Sequence, residues 1–522
     1  MPLTVTRRDG IFLLLSALMV TIFVVFAGGW GFPLDDSWIH QTYGRNLALH
    51  GEWAFILGQP SAASTSPLYT VILAFGYLLR VPYMLWAHLL GILALAITAM
   101  LGARMTDYVL PESKSAGWWV GLALIFTWHL IWAAASGMET MLFCMMTFVL
   151  IYLAFRETDT NRKRDTQALV IRGTIFGIAT ALTALARPEG AMLGGIIALL
   201  MLIVRPQGNI KNLVIYGITS AIGFAITISP YLWLNLQLTG GILPNTANAK
   251  FEQHAILLQL PYFVRYRDLF LAIFAGGQFM LIIGMFVYIW QKITDKNRLQ
   301  SLYFLLPIFW GLAHIALYAS RLPASYQHGR YVIPALPSFI FAGVIGTLML
   351  LQTVRKTRFK STFALLRRIT VQVLAISTVI LFLVFIPSGI QAYTNDVAVI
   401  NSEMVASADY INENIPQDEL MAIHDIGAVG YFAPRSMIDI AGLVTPDIIP
   451  IVTDGDALWE YMEANGADYL MAFPDQLPND NPNDPRLCLI FTTNSAITER
   501  VRGASGQSMA IYRLAYDATC EG

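Results

Sequence analysis

Apolar runs long enough to cross a bilayer recur through the first 390 residues, and no other feature constrains the fold as strongly. The first, IFLLLSALMVTIFVVFAGGW from Ile11, follows Arg7 and Arg8. About 20 apolar residues span the hydrocarbon core, and lipid offers backbone groups no partner, so each run is expected to be helical. No A-x-A cleavage site follows the first run, which reads as a retained helix with its N-terminus in the cytoplasm. Further candidates lie near residues 67–80, 84–105, 117–135, 138–155, 168–186, 190–205, 212–237, 266–290, 300–319, 331–352 and 370–389. These spans predict an α-helical polytopic membrane protein of about 11–13 transmembrane helices. Only 13% of the 522 residues are charged, 56% are hydrophobic and mean hydropathy is +0.57. Soluble domains carry roughly 25% charged residues.

The near-zero net charge hides a partition. Residues 1–395 hold 28 Lys and Arg against 14 Asp and Glu, whereas residues 396–522 hold 5 against 20. That shift predicts a basic membrane domain, 1–390, followed by an acidic soluble domain, 391–522. Within the latter, VAVINSEMVASADYINEN and DALWEYMEANGA read as helices, and ELMAIHD, SMIDIAG and SMAIYRLAY as strands. The order suggests a small α/β domain.

Basic clusters mark cytoplasmic loops: Arg156 with Arg162, Lys163 and Arg164; Arg205 with Lys211; Lys292 with Lys296 and Arg298; and Arg355 through Arg368. Residues 29–66, 136–139, 187–189, 239–265, 320–330 and the acidic tail then face outward. Four crossings between 66 and 156 would break this parity, so one short segment there, 67–80 for instance, must be re-entrant or interfacial. Cys144 lies in an apolar run. Cys488 and Cys520 could pair if the tail lies outside the cytoplasm, but two cysteines make no disulfide framework by themselves, so free thiols are the expectation.

The first outer loop holds FPLDDSWIH, two adjacent aspartates just beyond a span. A carboxylate at the bilayer centre costs about 2.5–3.5 kcal/mol on insertion scales, so the pair belongs at the interface. There it is either a helix N-cap with a solvated charge or a general base. The segment SWIHQTYGRNLALH reads as a helix stopping at Gly51, with Asp36, His40 and Tyr43 on one face. Arg187, Lys250, His328 and Arg330, with Asn245, fall in other outer loops. They are either snorkelling interfacial groups or cations suited to an oxyanion. Glu139 and Glu189 can pair with those arginines or bind hydroxyls. HDIGAVGYF, a strand end with His424 and Asp425 before a glycine-rich turn, is either a contact for an acceptor glycan or a capped strand-to-helix turn in a structural lid, and the second is the expectation. No nucleotide-binding G-x-x-x-x-G-K-[ST], zinc-protease H-E-x-x-H or C-x-x-C pattern occurs.

The stretch DDSWIHQTYGRNLALHGEWAFILGQPSAASTSPLYT resembles the first outer loop of GT-C superfamily membrane glycosyltransferases. It looks most like the bacterial branch containing mycobacterial arabinofuranosyltransferases. Protein O-mannosyltransferases and lipid A aminoarabinose transferases share the loop. ASGMETMLF (135–143), ALARPEG (184–190), GGILPNTANAK (240–250), HGRYVIPALP (328–337) and HDIGAVGYF with IDIAGL (424–443) resemble further family segments in order. The resemblance implies an inverting transfer of a sugar from a polyprenyl-phosphate donor to an extracytoplasmic glycan, lipid or protein acceptor. Asp36 best matches the catalytic aspartate, and Asp35 is the alternative. His40, Tyr43, Arg45, Glu139, Arg187, Glu189, Asn245, Lys250, His328, Arg330 and Tyr331 become candidate substrate-binding residues. A divalent cation (Mg²⁺, Mn²⁺ or Ca²⁺) held by Asp35 stays open, because relatives differ in metal dependence. The protein is expected in the plasma membrane, with its C-terminal domain outside and no nucleic-acid partner. A flippase of lipid-linked sugars and a non-catalytic receptor are the alternatives. The first needs ionisable groups near the bilayer midplane.

Overall fold

This computed structural model describes residues 4–28, 30–159, 161–242, 246–356, 361–502, 508–516 and 520. The first apolar run forms α1 (Arg7–Phe26), opened by a capping box between Thr6 and Asp9. The aspartate pair starts α2 (Asp36–His50), which stops at Gly51. Gly51 has φ +72°, a left-handed value that glycine takes without strain. A short hairpin, β1 (Ala54–Ile56) and β2 (Gln59–Pro60), leads to α3 (Pro67–Leu78), which packs along α2.

At 12 residues, α3 is about 18 Å long and falls short of a bilayer. The chain crosses next in α4 (Tyr83–Val109), then in α5 (Ala116–Ile125) and α6 (Trp128–Ala135), bent by 56°, then in α7 (Thr140–Glu157). Ion pairs Arg8–Asp107 and Arg104–Asp9, each 2.8 Å, tie the start of α1 to the end of α4. With α5 and α6 counted as one broken span, three helical segments long enough to cross, not four, separate the 29–66 loop from the basic 156–165 loop, which resolves the conflict in the sequence reading.

The remaining helices of this part are α8 (Thr166–Ala186), α9 (Gly190–Val204), α10 (Ile210–Thr239), the short α11 (Thr246–Gln253), α12 (Tyr262–Ile273), α13 (Leu281–Thr294), α14 (Arg298–Tyr303), α15 (Leu306–Arg321), the distorted turn α16 (Tyr326–Gly329), α17 (Leu336–Lys356) and α18 (Thr362–Ile400). Helix α10 packs on α8, and α13 on α17. Among the described residues, seven spans are long and apolar enough to cross a membrane, or nine if each bent pair is one span. That is fewer than the 11–13 expected, because several apolar runs fold as short or broken helices. The 190–205 run makes a 15-residue helix, the 266–290 run breaks by 114° between α12 and α13, and the 300–319 run splits into α14 and α15. The chain is a multi-pass membrane protein with a core built on buried Phe143, Tyr288, Trp132, Trp310 and Tyr393.

The charge shift at 390–396 falls inside α18, not in a linker. The helix continues through a π turn at Asn401–Val405 into α19 (Ala406–Asn414). Beyond it lies a five-stranded sheet of β3 (Met421–Ile423), β4 (Met437–Asp439), β5 (Tyr469–Ala472), β6 (Leu487–Thr492) and β7 (Ala510–Leu514). The order is β4-β3-β5-β7-β6: β3 runs parallel to β4 and β5, and β7 antiparallel to β5 and β6. Helices α20 (Gly427–Phe432), α21 (Gly455–Ala464) and α22 (Ala496–Arg502) complete the layer. Cys488 and Cys520 are disulfide-bonded, not free, since the chain end returns beside β6 and brings their Cα atoms within 5.4 Å. Cys144 is free and buried.

Candidate active site

The two aspartates do different things. Asp36 points into a cavity of about 230 Å³, where Lys250 Nζ lies 3.0 Å and Arg330 Nη2 2.7 Å from its Oδ2. Burial works against its charge, but Lys250 and then Arg330 outweigh that and hold the carboxyl well below the usual carboxylate range. Tyr331 completes the cluster, its hydroxyl accepting from Arg330 at 2.8 Å and Lys250 at 3.4 Å. Lys250 is buried too, and its ammonium is held above its ordinary range chiefly by Asp36 against the cost of burial.

Asp35 turns the other way. It stands at the N-cap position of α2 but makes no capping bond to its own helix. Its Oδ2 accepts from the Gly427 amide at 2.7 Å and its Oδ1 from that of Ala428 at 2.9 Å, so it caps α20 of the sheet domain. Burial, then Asp425, push its pKa up to about 8 against those two amides. A Cβ on Gly427 would lie 2.1 Å from the Asp35 carbonyl oxygen, so only glycine fits this seat. Asp35 does not fit a divalent-cation site: both its oxygens face amide hydrogens. Among the described residues, no three His, Cys, Asp or Glu side chains converge as ligands.

A second ion cluster lines the same cavity. Arg187, just past the end of α8, reaches Glu139 Oε1 at 3.0 Å and Glu189 Oε1 at 3.4 Å. Tyr318 of α15 hydrogen-bonds both Arg187 and Glu189. His40 lies behind Glu139, 3.3 Å from its Oε2. Burial opposes the Glu139 charge, but the His40 hydrogen bond and Arg187 prevail and bring its pKa down to about 2. The backbone supplying Arg330 is unusual. Gln327, His328 and Gly329 take φ of +51°, +61° and +70° in succession. Left-handed conformations at non-glycine residues are costly and often mark working segments.

Seven of the expected residues thus line one cavity: Asp36, Glu139, Arg187, Glu189, Lys250, Arg330 and Tyr331. His40 supports them from behind. Three others are placed elsewhere. The Tyr43 hydroxyl contacts Ser61 at 2.6 Å and accepts from the Ala63 amide at 3.0 Å, inside the loop it anchors. Arg45 donates to the carbonyls of Tyr431 (2.7 Å) and Gly430 (3.1 Å), holding the end of α20. His328 pairs with Asp396 at 2.8 Å, edge-on to the rings of Trp128 and Trp132. In each case nearer groups of the chain itself satisfy the polar atoms. Asn245 lies outside the described residues. Sequence reasoning missed Tyr318, Arg321 and Thr246, which also line the cavity. The signals were there: Tyr318 and Arg321 are three apart on α15, and Thr246 is one turn before Lys250.

Residues 390–512 match a family described as "Domain of unknown function (DUF8728)". A terminal β-(1→2)-arabinofuranosyltransferase of Corynebacterium glutamicum is 27% identical over an alignment of 363 residues that covers 62% of this chain and 49% of that protein. The match spans about half the length of that relative. The crystal structure of ArnT from Cupriavidus metallidurans bound to undecaprenyl phosphate aligns with a TM-score of 0.58 at 13% identity. It covers 98% of this chain and 99% of ArnT. The apo form aligns at 0.57, also at 13% identity, over 99% of this chain and 100% of ArnT. At that identity the likeness is one of fold, and it extends over nearly the whole chain: this protein has the fold seen in ArnT.

Proposed function

We propose that the chain is an inverting glycosyltransferase that moves a sugar from a polyprenyl-phosphate carrier to an acceptor outside the cytoplasm. The observation that carries this reading is one carboxylate, Asp36, held between Lys250 and Arg330 where they line a cavity with apolar walls of Phe251, Leu317 and Leu322. A lipid phosphate needs cations for its oxyanion and apolar surface for its first isoprene units. In the resting state Asp36 is a weak base, because both cations favour its charged form. A bound phosphate recruits Lys250 and Arg330 to its own oxygens, and the Asp36 carboxylate regains basicity as they leave. It then takes the proton of the acceptor hydroxyl, whose oxygen bonds to the anomeric carbon. The bond from that carbon to the phosphate oxygen breaks on the opposite face, and polyprenyl phosphate departs with the electron pair. Arg187, fixed between Glu139 and Glu189, stands further along the cavity.

The relative's name supports arabinofuranose as the sugar to try first, and undecaprenyl phosphate bound to ArnT supports the carrier class. Transport fits less well, since the ionisable groups gather at one end of the helices. The test is Asp36→Asn in purified protein with a polyprenyl-phosphate arabinofuranose donor. Transfer should fall about 10²–10⁴-fold, as expected for losing a general base. A variant working at the wild-type rate rules out the assignment.

A further inference from the structure

A second cavity, of about 250 Å³, lies on the other side of Asp36, and Asp36, Lys250 and Arg330 line both. The membrane helices contribute one wall, with Gln253 and His254 from the turn after Lys250. The opposite wall belongs to the C-terminal domain. His424 and Asp425 follow β3, and Gln476 lies beyond β5. His424 Nε2 is 3.1 Å from Gln253 Nε2, so the two walls touch across the cavity. Gln476 Nε2 donates to Asp425 Oδ2 at 3.0 Å. His424 Nδ1 lies 3.6 Å from Asp425 Oδ2, so the two side chains face the cavity as a pair.

The position of this wall is built in. Asp35 holds the first two amides of α20, directly after His424-Asp425-Ile426, so residue 35 ties the turn to the helix that starts at the neighbouring base. The chemistry is that of a saccharide site. A carboxylate, an imidazole and two carboxamides offer donors and acceptors for vicinal hydroxyls, and Phe473 and Leu443 give an apolar face for the ring. A negatively charged ligand would face Asp425 and Asp36, while the nearby cations are already turned toward Asp36.

We propose that the C-terminal domain forms half of the acceptor site: His424, Asp425 and Gln476 bind the hydroxyls of a neutral saccharide and aim one of them at Asp36. This rests on the glycosyl-transfer reading above, and it assigns work to a domain whose matched family has no described function.

The test uses the full chain in nanodiscs, with two independent binding readouts. Undecaprenyl phosphate reports on the donor cavity. Saturation-transfer NMR with neutral arabinofuranosyl and mannosyl oligosaccharides, and with the same oligosaccharides bearing a terminal phosphate, reports on the second. At least one neutral oligosaccharide should bind, and its phosphorylated form about tenfold more weakly. Asp425→Ala and Gln476→Ala should each weaken the neutral ligand about tenfold while leaving undecaprenyl phosphate within about twofold. Retained lipid-phosphate binding shows the variants are folded. Gln253→Ala, on the opposite wall, should repeat the loss if a C-terminal variant misfolds. The inference is overturned if none of the neutral oligosaccharides binds, if the variants bind them normally, or if the phosphorylated form binds equally well. Failure of the wild type to bind undecaprenyl phosphate would instead count against the glycosyl-transfer reading, and this inference would fall with it.

Discussion

At position 36 a carboxylate flanked by two cations is stable at rest, and the adjoining Asp35, though it also lines the second cavity, spends both oxygens on the amides of α20. The difference comes from direction. Two successive residues at a helix start point roughly 100° apart, so Asp36 faces the cations and Asp35 faces α20. Removing one cation should therefore separate binding from chemistry. Lys250→Met is expected to raise the donor KM about tenfold or more, with a smaller fall in kcat, measured with a polyprenyl-phosphate sugar. Glu139 allows a pH test. Its folded pKa, about 2, lies below its ordinary value. The stabilisation is thus fully present above the ordinary glutamate range and lost as pH falls through that range toward 2. Thermal unfolding between pH 7 and 3 should show that decline, and Glu139→Gln should flatten it. The same variant should cost about 2–3 kcal/mol at neutral pH, because buried Arg187 and His40 lose a shared partner.

Among the elements, α20 is short, at 6 residues, yet both ends are held by the α2 region: Asp35 takes the first amides and Arg45 the last carbonyls. Gly427→Ala pushes a methyl group into the Asp35 backbone. It should cost about 1–3 kcal/mol, by the usual penalty for overpacking. The loss should appear as faster hydrogen exchange in 424–432, with the membrane helices unaffected. This element also shows how far the sequence could be read. The alternation in ELMAIHD and the glycines after it were enough for a strand, a turn and a helix. A glycan contact at this turn was one of two sequence readings, but its partners across the cavity were not legible, because Gln253 and Asp36 lie more than 170 positions away. Arg45 shows the converse. Its family-like spacing suggested a ligand contact, whereas its guanidinium is used up on two carbonyls of α20. Strands β5 and β6 were missed because YLMA and LCLIFT are short apolar runs without alternation. The cavity-lining charges were readable because a membrane chain cannot place ionisable groups casually.

With α5–α6 and α12–α13 each counted as one span, chain order sets the Asp36 cavity at the helix ends opposite the 156–165 and 292–298 loops. With three crossings between the first outer loop and the first basic loop, single cysteines report the arrangement directly. In a Cys144→Ser background, Glu52→Cys and Asp447→Cys should react with impermeant maleimide in intact cells. Lys163→Cys and Lys296→Cys should react only after permeabilisation. Reaction of all four from one side would refute the topology.

The helical run from Thr362 to Asn414 is 53 residues long, about 80 Å of nearly continuous rod. Its N-terminal half is apolar enough to cross a membrane, while Ile400 and Met404, further along, line the polar cavity. A rod of this kind is a lever: any tilt of its spanning half would carry that wall of the cavity with it.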